Sequence, residues 1–556
     1  MTAAAATAVQ AKGATASTSM ARVIVASSAG TAFEWYDFFI FGSLAPVIGK
    51  AFFSGLDPTP ALIAALGLFA VGFAFRPLGA LIFGIVGDRL GRKGAFLVTV
   101  SLMGGATFLI GLLPTYARAG ALAPALLILL RIVQGIALGG EYGGAAIYVA
   151  EHSANNRRGI ATGWIQSTAS FGLLAAMLII FVSRTWLGED AFAGWGWRIP
   201  FLVSVVLLGV SLWMRLKLSE SPEFKRLVAE GQVTKAPLRE AFGQADNLKQ
   251  VAVAFLGVML AQGAVWYFTF FYLQVFLEKT LSVPGGIKDL LLALMTAVSA
   301  PLYVLFGWWS DRIGRKPILV GGMALALILY FPGSHWIAEA ANPALVAAQR
   351  TTPVVIETNP STCSAQFDPV GTGHFTSACD IAKSKLISRG ISYRVKDTSG
   401  TGATLDIGNV RYPVIGGEGL NASDLKANKA ALSADVDKLL MGAGYPQFAD
   451  PARMNFPVLI AVLMLFVVAA TALYGPQAAA LVEMFPSRVR YTALSFPYHF
   501  GIGWVGGFLP AVSVAIVAAT GNIYSGLWYA VVFTGISVVV SLLWLPETLG
   551  RKLEEV

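Results

Sequence analysis

Glu34 and Asp37 stand three residues apart in AGTAFEWYDFFIFG, residues 29–42, inside an apolar run long enough to belong to a membrane span. A charge near a bilayer centre costs at least about 2.5–3.5 kcal/mol, so each such group needs a partner or a wet cavity. A spacing of three sets both carboxylates on one helix face. Arg76 lies on the next apolar run. Counted from the cytoplasmic ends of the spans at about 1.5 Å per residue, Glu34 is roughly 18 Å deep, Asp37 roughly 22 Å and Arg76 roughly 16 Å, which makes Glu34 and Arg76 level. A buried carboxylate whose cationic partner moves away takes up a proton and gives it back when the partner returns, which is proton-carrier chemistry. The competing reading is a permanent ion pair that only fixes helix packing.

Further along, RIVQGIALGGEYGGA carries Arg131 and Glu141, ten residues apart on one span. The planar fork of Arg131 suits a substrate carboxylate or phosphate, and suits a pair with Asp37 equally well. Glu141, nearer the inner end, reads as structural. Gln166, Gln262, Trp266, Tyr267, Tyr272, Tyr474, Gln477, Tyr498 and His499 are candidate cavity linings, although polar residues buried among helices commonly serve as interhelical glue. His499 also carries an imidazole that can titrate between about pH 5 and 8, set against the reading of a packing histidine.

The elements that must position these residues follow from composition. The 556 residues are 56% hydrophobic and 13% charged, which describes a polytopic membrane protein. Apolar runs recur near 22–49, 61–86, 95–113, 122–150, 160–183, 197–218, 250–277, 287–309, 317–338, 455–482, 492–519 and 523–545. Twelve transmembrane helices are expected, because long apolar runs satisfy their own backbone in hydrocarbon and short alternating strands would read differently. The net charge of +9 carries no nucleic-acid signal. Its bases gather in alternate short loops: Arg89, Arg92 and Lys93; Arg157 and Arg158; Arg215 and Lys217; Arg312, Arg315 and Lys316; Arg488 and Arg490; Arg551 and Lys552. Positive charge marks the inner side, so these loops and both termini are expected in the cytoplasm of a multi-pass protein of the cytoplasmic (inner) membrane. Residues 1–20 read as a disordered tail, and residues 547–556, closing on RKLEEV, as a short tail with no long charged coiled coil.

GDRLGRKG at 87–94 returns as SDRIGRKP at 310–317, 223 positions later, which divides the chain into two six-helix bundles. Each turn sets an acid beside arginines at a helix end. Asp88 and Asp311 can therefore cap helix N-termini or pair across the bundle and hold a gate closed, with Arg89, Arg92, Arg312 and Arg315 beside them. EHSANNRRGIATG and EMFPSRVRYTALS match at an offset of 332, so 109 extra residues must separate the two halves of the second bundle. The expected organisation is a bundle at 21–218, a cytoplasmic linker at 219–248, helices seven to nine at 249–338, an extracytoplasmic insert at 339–454 and helices ten to twelve at 455–546. Within the insert, ISYRV, ATLDI and RYPVI read as strands and LKANKAALSADVDKLLMGAG as a helix ended by Gly442, giving a small α+β domain. Cys363 and Cys379, both in the insert, are expected to form a disulfide in an oxidising compartment, worth roughly 3 kcal/mol. One histidine, no metal-ligand spacing and no phosphate loop leave the insert without a catalytic cluster, and no cofactor is expected.

Twelve spans in two halves with GDRLGRKG after the second resemble the major facilitator superfamily. EWYDF, FRPLG at 75–79, RIVQG, GGEYGGA and LPETLG resemble its metabolite:proton symporter branch, which includes carriers of dicarboxylates, tricarboxylates, shikimate and betaine-type osmoprotectants. The resemblance covers nearly all of the chain outside 339–454. It implies a central cavity between the halves, alternating access by rocking, proton symport, and a gating role for Gly87, Asp88, Arg89, Gly91 and Arg92. The resulting expectation is a non-enzymatic importer of a small carboxylate coupled to protons. Arg76 and Arg131 would meet the anion, with Gln166, Trp266, Tyr267 and Tyr498 around it, and Glu34, Asp37 or His499 would carry the proton. A betaine-like zwitterion, held by the aromatics of the seventh span, is the nearest alternative. Efflux is disfavoured because GIATGWIQSTASFGLLAAMLIIF lacks the Gly-Pro-rich pattern that resembles exporters. A receptor or enzyme working through the insert ranks lower still. The expected partners are solute, protons and membrane lipid.

Overall fold

Helix is the only solution for most of this chain, since its apolar runs leave no room for unpaired backbone. The computed structural model describes residues 20–53, 68, 71–217, 219–364, 376–398 and 402–553; the expectations for residues 1–19, for the opening of the second apolar run and for the last three residues lie outside these. Twelve helices carry the architecture: α1 (Met20–Ser43), α2 (Val71–Leu90), α3 (Arg92–Leu112), α4 (Leu122–His152), α5 (Asn155–Leu187), α6 (Arg198–Leu216), α7 (Ala245–Thr280), α8 (Gly285–Ile313), α9 (Arg315–Ala341), α10 (Phe456–Met484), α11 (Arg490–Thr520) and α12 (Leu527–Trp544). Among the described residues eleven, α2 to α12, are long and apolar enough to cross a membrane. α1 is the exception to the expected twelve, because Glu34 and Asp37 dilute its 24 residues.

α2 and α4 cross backbone to backbone. A Cβ at Gly79 would lie 2.0 Å from the Ile136 carbonyl oxygen, and one at Gly139 would lie 2.2 Å from that of Arg76. Glycine at these two crossings lets the helices touch, which sets the depth at which Arg76 sits. The turn after α2 reverses at Gly91, whose φ of 110° is open to glycine, and Gly314 repeats it at φ 109°. The π-type turns Ala254–Met259, Phe268–Tyr272 and Phe276–Thr280 interrupt α7 on both sides of Trp266 and Tyr267.

Between α9 and α10 the chain builds a four-stranded sheet in the order β2-β1-β3-β4, from β1 (Val354–Thr358), β2 (Tyr393–Asp397), β3 (Ala403–Ile407) and β4 (Val410–Val414). β1 pairs in parallel with β2, in register Val354 to Tyr393, and the other pairings are antiparallel. A parallel pair needs a crossover, which the helix Ala378–Ser388 supplies. Residues Ala422–Gly442 form the second helix. β1 and the crossover helix were not foreseen; VVIET alternates over only five residues, too few to stand out beside a polar stretch. On the exposed face, the hydrogen bond from Lys396 Nζ at 2.7 Å, with Arg411 alongside, holds the Glu357 carboxyl below its ordinary pKa.

The sheet is fastened to the loops of the second half. Tyr393 donates its N–H to Gly521 O at 2.8 Å and its hydroxyl to Ala518 O at 2.7 Å, both at the end of α11. Ala449 N donates to Ser282 O at 3.0 Å, between α7 and α8. The sulfurs of Cys363 and Cys379 are bonded, with Cα atoms 5.3 Å apart, and tie the chain after β1 to the start of the crossover helix. Replacing both cysteines by serine should cost this small domain about 3 kcal/mol, the value for a closed loop of this length. Hydrogen exchange read on β1 to β4 should accelerate accordingly while that of α2 to α6 stays unchanged.

Candidate functional site

Arg76 is fully buried and covered by rings. Its Cζ lies 4.3 Å from the centroid of Phe73, 4.6 Å from that of Phe38 and 5.9 Å from that of Trp35. The Tyr267 hydroxyl is within hydrogen-bonding reach of the guanidinium, while Nε and Nη2 make no bond of good geometry among the described residues. Around this cation the two halves contribute an aromatic box. Trp35 of α1 stands 6.5 Å from Trp266 of α7, and Trp266 stands 5.2 Å from Tyr267 and 6.3 Å from Tyr474 of α10, centroid to centroid. The hydroxyls of Tyr474 and Tyr498 meet at 2.9 Å, Tyr498 stacks on Tyr142 of α4 at 3.6 Å, and Gln166 of α5 donates to the Tyr142 hydroxyl at 2.6 Å. Trp266 Nε1 donates to Tyr303 of α8 at 2.8 Å. His499 follows at the edge of Tyr498, buried, with neither ring nitrogen hydrogen-bonded. Of the residues expected to meet solute, Arg76, Gln166, Trp266, Tyr267 and Tyr498 thus converge. Tyr142, Tyr303 and Trp35 complete the box; only the aromatic richness of their spans hinted at them.

Arg131 stands one layer away. It lies 5.5 Å from Phe38, the ring it shares with Arg76, and 4.1 Å from Phe41. Its Nη1 donates to Gln134 Oε1 at 2.7 Å, and Gln134 donates to Thr107 at 2.7 Å. The direct Asp37–Arg131 pair considered above does not form. Asp37 instead accepts a hydrogen bond from the Ser204 hydroxyl of α6 and has Thr107 of α3 within hydrogen-bonding reach. Gln134 and Thr107 therefore link Arg131 to Asp37.

Glu34 is not level with Arg76 in any functional sense; its partner is Arg215 of α6, Nη1 to Oε1 at 2.9 Å. The same guanidinium reaches Glu141 Oε1 at 2.7 Å, and Glu141 Oε2 accepts from the Thr99 hydroxyl at 2.8 Å. Two buried carboxylates therefore share one cation, backed by the Phe96 ring 3.5 Å from the Arg215 Cζ. Arg215, read above as a loop base, is 1% exposed, and Glu141, read as structural, shares that guanidinium with Glu34. The available signal was Gly30, one turn before Glu34, where a Cβ would lie 2.4 Å from Arg215 Nη2. Glu34 and Asp37 do share a face, but it is turned toward α6 within the first half.

At the bundle end far from the sheet, two charge clusters repeat one design. Asp88 pairs with Arg92 at 3.2 Å, and Arg490 from the other half pairs with Glu151 at 2.9 Å, with Arg92 3.9 Å from the same carboxylate. In the second, Asp311 pairs with Arg315 at 2.6 Å, Arg315 with Glu483 at 3.2 Å, and Arg158 from the first half with Glu483 at 3.5 Å. Each aspartate also caps a helix of the opposite half. Asp88 accepts from Tyr491 N at 3.2 Å and Thr492 N at 2.9 Å, and Asp311 from Gly159 N and Ile160 N, both at 2.8 Å. Arg158, Arg315 and Arg490, counted above as loop bases, are buried members of these clusters, whereas Arg89 and Arg312 are exposed and stand outside them.

A family model described as Major Facilitator Superfamily matches residues 28–349, and one described as Sugar (and other) transporter matches residues 440–556. The chain belongs to the Major Facilitator Superfamily. The two matches leave 350–439, which hold the sheet, outside both family patterns. Over 323 residues the chain is 36% identical to the proline/betaine transporter of Salmonella typhimurium, a match covering 56% of this chain and 63% of that protein. Over 315 residues it is 34% identical to the shikimate transporter of Escherichia coli, covering 56% and 71%. The match thus spans less than two thirds of the proline/betaine relative. Solved structures of the proton:xylose symporter XylE share the fold at 16% identity, with a TM-score of 0.62 over 96% of this chain and 98% of that one. A facilitator-fold, multi-pass membrane protein is the outcome, with a small sheet in its C-terminal region.

The shared cation makes a prediction about stability. Arg215→Met strands two buried carboxylates and should lower stability by roughly 3–5 kcal/mol. Adding Glu34→Gln and Glu141→Gln should recover most of it, read as the apparent melting temperature in detergent.

Proposed function

We propose that the protein is a proton-coupled importer of a small zwitterion bearing a carboxylate and a quaternary ammonium group, working by alternating access. In this reading α1 is the twelfth span, α1–α6 and α7–α12 are the two rocking bundles, both termini lie in the cytoplasm, the sheet domain faces outward, and the membrane is the cytoplasmic one. The observation that carries it is Arg76, a buried cation with two nitrogens that make no bond of good geometry among the described residues, in a box of tryptophan and tyrosine drawn from both halves. A carboxylate can take those donors bidentately, and the ring faces suit a quaternary ammonium. The proline/betaine relatives add support for this head group over a plain carboxylate. The plain carboxylate is the second reading, favoured by the similarity to the shikimate transporter.

Glu34, sharing Arg215 with Glu141, is the proposed proton site: the cluster holds two acids against one cation, so a single proton neutralises it. Asp37 and His499 are the other candidates. Asp88, Arg92, Asp311 and Arg315, with the turn glycines Gly87 and Gly91, form the inner gate, with Arg89 and Arg312 as surface charge at its edge.

Uptake of labelled betaines and organic acids into vesicles under an imposed pH gradient, with and without protonophore, tests the reading. Arg76→Leu should abolish uptake of every carboxylated solute. Trp266→Leu should raise the apparent KM for a betaine roughly fivefold or more, the scale of one desolvated cation–π contact, and leave that for a plain acid within twofold. Equal effects on both solutes would favour the second reading. Glu34→Gln with Asp37→Asn should abolish uphill accumulation, and full accumulation by that variant refutes the proton assignment.

A further inference from the structure

Tyr491 of α11 is fully buried, and its ring stands in a socket made by the opposite half. The walls are bare backbone. A Cβ at Gly87 of α2 would lie 1.7 Å from Tyr491 Cδ1, one at Gly143 of α4 2.8 Å from Cε2, and one at Gly144 2.6 Å from the hydroxyl oxygen. Three glycines are thus what admits the ring. The hydroxyl donates to the Gly140 carbonyl at the floor of the socket, and the Tyr491 N–H is one of the two that Asp88 caps. Gly140 immediately precedes Glu141, whose carboxylate holds Arg215 and, through it, Glu34. At the corresponding seam between α5 and α8 the backbones of Gly159 and Gly307 face each other, and Arg315 Nη1 and Ser310 Oγ stand against Gly159 where Tyr491 stands against Gly87.

We propose that Tyr491 is the latch of the inner gate: its ring, seated in the socket of Gly87, Gly143 and Gly144, holds the halves together, and its withdrawal uncovers the Glu141–Arg215–Glu34 cluster to that side. Opening this seam breaks the bond at Gly140 together with the Asp88 cap, the Arg490–Glu151 pair and the bond from Arg92 to Ser487 O, and slides a ring out of a glycine-walled cleft. The inference rests on the alternating-access reading above.

Accessibility of an introduced thiol tests it. Ser495, one turn beyond Tyr491, has a buried hydroxyl without a hydrogen-bond partner, so Ser495→Cys is a mild reporter on the gate surface. The two native cysteines are bonded to each other and do not compete for reagent. Labelling by a membrane-impermeant maleimide in inside-out vesicles should quicken roughly fivefold with Tyr491→Phe, the population shift from one lost buried hydrogen bond. With Tyr491→Ala, or with Gly87→Ala, which fills the socket, it should quicken on the order of tenfold or more. Both alanine changes abolish the same contact, so the double variant should exceed neither by more than about twofold. Unchanged labelling in a normally inserted Tyr491→Ala protein, or fully multiplicative effects in the double variant, overturns the latch. Should Tyr491→Ala fail to insert, Tyr491→Phe, which keeps the ring, carries the decision alone. The assay uses neither solute nor gradient, so failure of every uptake experiment would sink the carrier reading without touching this result.

Discussion

Among the described residues, the buried charges of the first half are paired, hydrogen-bonded or sheathed in rings. The cost of an unpaired ion in hydrocarbon exceeds most single contributions to folding, and it dictates the arrangement of α1, α2, α4 and α6. Arg215 is drawn inward by two carboxylates, Arg131 is satisfied by an amide and a backbone carbonyl, and Arg76 is sheathed in aromatic faces. At the repeated turns the same rule makes Arg92 share Glu151 with Arg490 of the other half, and Arg315 share Glu483 with Arg158. These clusters neutralise charge with groups drawn from different halves, so the proposed opening would re-expose both signs to water.

The arrangement keeps the proposed proton site and the proposed solute site apart. Glu34 and Asp37 face α3 and α6, inside the first bundle, whereas Arg76 and its rings lie where the two bundles meet. A continuous path of contacts joins them: Asp37 to Thr107, Thr107 to Gln134, Gln134 to Arg131, and Arg131 to the Phe38 ring that also covers Arg76. Under the proposed mechanism a change of charge at the carboxylates would reach the aromatic box through dipoles and one shared ring, with no direct ion pair between the two among the described residues.

Much of the fold was legible in the sequence, because the apolar runs have one physical outcome and the GDRLGRKG and SDRIGRKP turns mark the repeat. Residues of the box such as Trp266, Tyr267 and Tyr498 were legible as polar or aromatic side chains in apolar company. The partner of Glu34 was not. Depth along a span can be counted from sequence, but rotation about the helix axis and crossing angle cannot, and these decided between Arg76 and Arg215. Position near a span end disguised Arg215 as a topological charge. Tyr491 was hidden for a related reason: a tyrosine beside RVR reads as an interfacial aromatic, and its meaning lies in glycines some 350 to 400 positions earlier.

The bonds from Tyr393 to Ala518 and Gly521, and from Ala449 to Ser282, give the sheet domain a mechanical grip on the second bundle. Whatever swings α11 swings the domain with it, so under the proposed alternating access the tilt of one bundle would be magnified into displacement of the sheet. Under that proposal, a binder that grasped β2 or β4 would hold a lever on the cycle without approaching the solute site.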